Sequence, residues 1–260
     1  MGTALITGAS AGLGLELARL FAADKHSVVL VARRLERLEE LAGQLRKQHP
    51  GIRADVLAMD LGTPSAGGAL FRELEARRLE VDFLVNNAGF GSVGTFFELP
   101  LERQLEMLDL NIRTLVELTG LILPSMLQRR SGRILNLGST AGFQPGPHMA
   151  VYYATKAFVN SFSQALHEDL AGTGVTCTVF APGPTATEFQ AVTGKAGMPI
   201  FRIPGMVAEA APTAAAGYRA MMQGRAIVVP GLANRAIAQL NRLVPRFVAR
   251  RVAGVMNRSK

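Results

Sequence analysis

TGASAGLG, residues 7 to 14, stands between an apolar run, TALIT (3 to 7), and a segment of helical period from about 12 to 23. Its reading decides the fold. Gly8 and Gly12 permit tight turns and close approach of a ligand to the backbone, and Gly14 lets the following helix pack against a sheet. A strand that passes straight into a helix this way aims the unpaired N–H groups of the helix at an anion such as a pyrophosphate. Taken alone, the same glycines also suit an ordinary strand-to-helix turn.

Outward from that turn the same alternation repeats. Short β-branched runs fall at 27 to 32 (SVVLVA), 53 to 60, 81 to 87, 133 to 138, 175 to 181 and 226 to 230 (AIVVP). Segments of helical period lie between them, near 34 to 48, 64 to 78, 101 to 129 and 151 to 171, with Thr63 and Pro64 suited to cap and open the third helix. This pattern predicts an α/β fold: one doubly wound parallel sheet of Rossmann type, about seven strands, with helices on both faces. No repeat or linker divides it, so residues 1 to 260 are expected to form a single domain. Residues 188 to 212, rich in Gly, Pro, Met and Phe, interrupt the alternation and are expected to be a lid over a substrate.

Composition narrows the function. The start lacks the pattern of a secretory signal, and no uninterrupted apolar run reaches the roughly 18 residues of a membrane span, so a cytoplasmic protein is expected. The single cysteine, Cys177, lies in the apolar run GVTCTVFAP and reads as a buried, inert thiol. The net charge is +8, but all 20 acidic residues lie at or before Glu209, and 9 of the 28 Lys and Arg lie after it. Residues 1 to 209 therefore balance 19 cations against 20 anions, and the basic excess belongs to the C-terminal fifty residues. Nucleic-acid binding is not expected there, because Phe247 is the only aromatic residue after Tyr218.

The glycine spacing is G-x-x-x-G-x-G with Thr7 in front, and it resembles the cofactor turn of the short-chain dehydrogenase/reductase family. Further motifs follow in that family's order. NNAG (86 to 89) closes the fourth strand, and Asn111 stands 28 residues before Ser139 at the end of the fifth. Tyr152 comes 13 residues after Ser139, Lys156 four beyond it, and Pro182, Gly183 and Thr187 close the sixth strand. The resemblance covers roughly residues 1 to 190, nearest to the branch that includes long-chain 3-oxoacyl reductases and broad-range carbonyl reductases. All these motifs fall at or just beyond the carboxyl ends of strands, where open parallel sheets bind ligands.

The resemblance implies an NADP-dependent oxidoreductase interconverting a carbonyl and an alcohol. It assigns catalysis to Asn111, Ser139, Tyr152 and Lys156. Cofactor contacts would come from Gly8, Ser10, Gly12, Leu13, Gly14, Arg33, Arg34, Asp60, Leu61, Asn87, Ala88, Gly89, Tyr152, Lys156, Pro182, Gly183, Thr185 and Thr187, and no metal is assigned. Tyr152 would exchange the proton, Lys156 would lower its pKa from about 10 and hold the nicotinamide ribose, Ser139 would bind the substrate oxygen, and Asn111 would position water. Helical periodicity alone lets Tyr152 or Tyr153 face Lys156, and the family's Tyr-x-x-x-Lys motif selects Tyr152. The second strand ends in Ala32 followed by Arg33 and Arg34, where an acid would bind the ribose of NAD, so NADP is expected with Arg33 as its main contact. Ala11 departs from relatives that carry a basic residue inside the glycine-rich turn.

For the substrate, Phe90, Phe143, Gln144, His148 and Met149 are candidate wall residues, with Met198, Ile200 and Phe201 on the lid. Their apolar character points to a lipophilic ketone, aldehyde or 3-oxoacyl chain. Relatives commonly assemble as dimers or tetramers through two long helices, here near 101 to 129 and 151 to 171. From 232 to 260, Ile237, Leu240, Leu243, Val244, Phe247 and Val248 share one helical stripe opposite Arg235, Arg242, Arg246 and Arg250, with Pro245 bending the segment. Such a basic amphipathic extension suits either the membrane surface or packing on the protein itself. The competing function is an NADP-binding sensor or membrane-associated scaffold with little turnover; such relatives lack the tyrosine or lysine that this chain keeps.

Overall fold

The structure, a computed structural model, describes residues 1–189, 206–241 and 243–258. Five βα units open the chain: β1 (Thr3–Thr7), α1 (Gly12–Ala23), β2 (Ser27–Ala32), α2 (Leu35–Gln48), β3 (Ala54–Ala58), α3 (Ala66–Ala76), β4 (Phe83–Asn86), α4 (Leu101–Leu108), α5 (Thr114–Gln128), β5 (Gly132–Leu137) and α6 (Ala150–Asp169). They are followed by β6 (Val175–Phe180), α7 (Ala210–Met222), β7 (Ile227–Val228), α8 (Leu232–Leu240) and α9 (Arg246–Asn257). Seven parallel strands pair in the order β3-β2-β1-β4-β5-β6-β7. The order reverses between β1 and β4, which opens a crevice at their carboxyl ends.

The period of two along each strand divides the core into two layers. Ala4 and Ile6 of β1 and Val28 and Leu30 of β2 face α1, α2 and α7, around Leu17, Phe21, Phe180 and Tyr218. Leu5, Val29 and Val31 face the other way, toward Leu70 of α3 and Leu118, Ile122 and Met126 of α5. Each such side chain, taken fully from water, contributes about 1.5–3 kcal/mol. Leu101–Gln128 is long and apolar enough to cross a membrane by composition, yet it carries Leu118, Ile122 and Met126 into this second layer. Cys177 is buried there, and burial pushes its thiol up to about 12, as expected of an inert cysteine.

The predicted strands and most of the helices are present, and four local differences have physical reasons. The third helix begins at Ala66, not at Pro64, because the Thr63 hydroxyl donates to the Asp60 carbonyl and Ser65 takes a left-handed conformation (φ +62°). The segment 101 to 129 is interrupted by a π turn at Asp109–Arg113. The helix Ala210–Met222 overlaps the expected lid; Pro212 sits in its first turn, where a missing N–H costs no intrahelical bond. Finally, the C-terminal extension forms two helices, Leu232–Leu240 and Arg246–Asn257, and Pro245 caps the second.

Candidate active site

The turn after β1 takes the shape its glycines permit. Gly8 and Gly12 have positive φ values of +68° and +56°. A Cβ at Gly8 would stand 2.8 Å from Asn87 Nδ2, and one at Gly14 would stand 2.3 Å from the Gly8 carbonyl oxygen. Helix α1 is capped by Ala11 with no side-chain hydrogen bond, and its first turn holds no acidic residue. Its N-terminal N–H groups thus remain available to an anion. The turn is tied to β4 through Thr7, whose Oγ1 accepts from the amides of Asn87 and Ala88 (3.0 Å each), while Asn87 Nδ2 donates to Thr7 O (2.8 Å).

A cavity of about 450 Å³ runs along these strand ends. One end is lined by Arg33, Arg34, Asp60 and Leu61, the middle by Gly8, Ser10, Gly12 and Leu13 opposite Asn87, Ala88 and Gly89, and the far end by Ser139, Tyr152, Lys156, Pro182, Gly183, Thr185 and Thr187. Thr187 closes over the turn, 3.0 Å from where a Cβ on Gly12 would lie. Every predicted cofactor residue except Gly14 lines this space. Gly14 lies beneath the turn, and its role is the close helix packing that the Gly8 carbonyl demands.

The arginines differ in what holds them. Arg34 donates to Ser10 Oγ (3.1 Å) and pairs with Glu188 (2.8 Å), which also pairs with Arg37. Arg33 makes a longer ion pair, 3.9 Å to Asp60, and its side chain is 62% exposed at the rim. These features fit the phosphorylated ribose and pyrophosphate of NADP: an uncapped helix end, a turn without Cβ atoms, and a guanidinium at the adenosine end.

At the far end, α6 carries Tyr152 and Lys156 one turn apart, both buried. The Tyr152 hydroxyl is hydrogen-bonded to Ser139. Lys156 Nζ donates to Leu137 O (2.6 Å) and lies 6.0 Å from the Tyr152 ring centroid. Burial raises the Tyr152 pKa, and the Ser139 hydrogen bond opposes it only in part. In the protein alone burial thus outweighs the lowering expected from Lys156, and the phenol stays protonated. Burial also lowers Lys156 to about 8.

Asn111 stands behind this group, outside the cavity lining. The π turn brings it to Phe90, whose N–H it accepts (3.1 Å) and whose carbonyl it donates to (3.0 Å), and it donates to Thr155 Oγ1 (3.0 Å). Asn111 Oδ1 and Lys156 Nζ converge over Gly89, 2.9 and 3.6 Å from where its Cβ would be.

Several lining or supporting residues were missed. Asn160 accepts from the Ser139 amide and donates to its carbonyl (3.0 Å); its place four residues after Lys156, on the same helical face, was the available signal. Asn234 and Ile237 of α8, Asn257 of α9, Phe189 and Met206 also line the cavity. Nothing in the local pattern of α8 and α9 points to the site, because the connection is tertiary. Of the expected walls, Phe90 and Gln144 line the cavity, whereas Met149 is buried against Tyr152, Phe90 and Met107. His148 has φ +64° in the loop between them. Met198, Ile200 and Phe201 lie outside the described residues.

A doubly wound sheet with a long cavity over its switch point, and a half-buried Ser139 beside buried Tyr152 and Lys156, defines a nucleotide-dependent oxidoreductase. Residues 2–196 match the family model for short chain dehydrogenases, and the chain belongs to that family. It is 40% identical over 190 residues to sulfoacetaldehyde reductase 2 of Chromohalobacter salexigens, covering 72% of this chain and 74% of that protein. Among solved structures, it is similar to a short-chain dehydrogenase from Sphingobium yanoikuyae in complex with NADPH (TM-score 0.82, 33% identity, 94% of each chain). A second is the bulky-bulky ketone specific alcohol dehydrogenase from Comamonas testosteroni (TM-score 0.78, 28% identity, 95% of this chain and 96% of that one).

Proposed function

We propose that this short-chain dehydrogenase/reductase uses NADPH to reduce a bulky, lipophilic carbonyl compound, a ketone, aldehyde or 3-oxoacyl chain, and oxidises the alcohol in reverse. Its membership of the family and the NADPH-bound relative support the cofactor and the reaction class. One observation carries the substrate class. Among the described residues lining the cavity, the cations are Arg33 and Arg34 at the adenosine end and Lys156, which is engaged with Leu137 O. The substrate end is walled instead by Phe90, Tyr153, Phe189, Met206 and Ile237, with the uncharged amides of Gln144, Asn234 and Asn257 among them. Among the described lining residues a carboxylate or sulfonate would find no guanidinium at that end, whereas an apolar substrate would be covered.

NADPH, when bound, supplies the hydride for the carbonyl carbon. Tyr152, protonated in its buried setting, gives its proton to the carbonyl oxygen, and Ser139 donates a hydrogen bond to the same oxygen. Lys156, a cation below about pH 8, would hold the nicotinamide ribose and favour the phenolate that remains. Asn111 is held by Phe90 and Thr155 so that Oδ1, with a second lone pair, can accept from a water beside Lys156. Arg33 would take the 2′-phosphate with Arg34 beside it, Asp60 and Leu61 would flank the adenine, and the turn from Gly8 to Leu13 would take the pyrophosphate. Asn87, Ala88, Gly89, Pro182, Gly183, Thr185 and Thr187, which line the same cavity, would enclose the rest.

The chain is assigned one domain. Residues 188–212 are assigned the lid, supported at the two described ends by Glu188, Phe189 and Met206 on the cavity wall. Exposed Leu101, Leu105, Val116, Leu121 and Phe158 on α4, α5 and α6 support pairing of two copies. The test is NADPH consumption with bulky aryl ketones and medium- to long-chain 3-oxoacyl thioesters, set against sulfoacetaldehyde and small 3-oxo acids. Higher kcat/KM for the first group is expected; preference for sulfoacetaldehyde would overturn the substrate assignment.

A further inference from the structure

The two C-terminal helices pack in the reverse of the ordinary amphipathic sense. Ala238 of α8 and Ala249, Ala253 and Asn257 of α9 are buried against the body of the protein. The large apolar residues face solvent: Leu232 is 83% exposed, Leu243 82% and Val255 64%, with Leu240, Phe247 and Val252 more than half exposed. At about 100° per residue, Phe247, Val255, Val248 and Val252 fall within roughly 140° of the α9 circumference. The middle of that sector lies opposite Ala249, Ala253 and Asn257. In α8, Leu232, Leu240 and Ile237 cover a sector of similar width, with Ala238 on the far side. Asn257 fixes this orientation, since its Oδ1 accepts from Tyr153 Oη (3.1 Å) and its Nδ2 donates to Pro147 O (3.0 Å). Rotation of α9 to hide Phe247 and Val252 would break both bonds.

Charge selects the occupant of this exposed face. Arg251 lies inside the apolar sector of α9 with Arg250 beside it, and both are exposed. The residues after Glu209 hold nine Lys and Arg and no acid. A second copy, itself at net +8, would bring little negative charge to meet them, because its residues 1–209 set 19 cations against 20 anions and its own tail would repel. An anionic bilayer surface offers both what the arginines and what the apolar side chains require.

We propose that the outward face of α8 and α9 is a peripheral docking surface for anionic lipid, with Leu232, Leu240, Leu243, Phe247, Val252 and Val255 entering the headgroup boundary between arginines. The proposal stands apart from the identity of the substrate. The experiment is co-sedimentation of the full chain with vesicles of phosphatidylcholine alone and of phosphatidylcholine with phosphatidylglycerol. The expected result is binding about tenfold or more stronger to the anionic vesicles, lost both in Arg250→Glu/Arg251→Glu and in Phe247→Ser/Val252→Ser/Val255→Ser. NADPH binding and circular dichroism, unchanged in both variants, establish that they fold. Equal binding to the two vesicle types overturns the proposal. So does a serine variant that keeps full anionic-vesicle binding while the charge reversal loses it, the signature of a purely polyanionic partner such as nucleic acid. A serine variant that dissociates an oligomer by light scattering yet sediments normally would assign the face to a second copy and overturn the proposal equally.

Discussion

The crevice along the strand ends and the pair of C-terminal helices obey opposite rules. In the crevice, residue identity is dictated by backbone geometry: Gly14 has no room for a Cβ beside the Gly8 carbonyl, and Asn87 is fixed by the Thr7 and Gly8 backbone. In the C-terminal pair, the backbone would accept most side chains, and what decides is which face meets protein and which meets something else. Regions of the first kind carry the chemistry shared by a family. Regions of the second kind carry what is particular to one member.

The largest effect expected separates the two tyrosines of α6. Tyr152→Phe removes the proton donor and should lower kcat by about 10²- to 10⁴-fold, while NADPH binding, followed by fluorescence titration, persists. Tyr153 is hydrogen-bonded to Asn257 and Gln144 and belongs to the wall. Tyr153→Phe should therefore keep most of kcat. Comparable losses in the two variants would refute the assignment of the proton to Tyr152.

Next in size is the adenosine end. Arg33→Asp should reduce kcat/KM for NADPH by roughly 10- to 150-fold, the equivalent of about 1.5–3 kcal/mol for a charged hydrogen bond, and leave the value for NADH unchanged or higher. Arg34 shares Glu188 with Arg37 and also holds Ser10, so its replacement should act less selectively. An unchanged NADPH to NADH ratio in Arg33→Asp would move the 2′-phosphate to Arg34.

How much was legible in the sequence follows the same division. All seven strands could be read because alternation and glycine chemistry are local properties, and Ser139, Tyr152 and Lys156 could be picked out through the resemblance of their motifs to the family's. The π turn at Asp109–Arg113 could not, since it exists to satisfy the backbone of Phe90, about twenty residues away in the chain. The rise of the Tyr152 pKa was also hidden. A tyrosine one turn from a lysine suggests a lowered pKa, and only the depth of burial shows that desolvation wins. The α8 and α9 stripe was visible, but its direction was not, because a period identifies a face without saying what it meets.

Asn257 joins the two regions, and its replacement tests whether the C-terminal pair takes part in the reaction at all. It is 2% exposed, lines the cavity, and spans from Tyr153, next to the proton donor, to Pro147 in the loop that contains Gln144 and His148. Its two hydrogen bonds are neutral, each contributing about 1 kcal/mol, and neither reaches Tyr152, Ser139 or Lys156. Asn257→Ala should therefore leave kcat nearly intact and raise KM for bulky ketones several-fold, because the loop wall is positioned less well. In a cycle with Tyr153→Phe, the two KM effects should not add, since both remove the same contact. A small ketone that does not reach this wall should show little change. Melting that falls by a few degrees with KM constant for every substrate would instead make α9 a structural brace, and substrate choice would then rest with the loops around Phe90, Gln144 and Phe189.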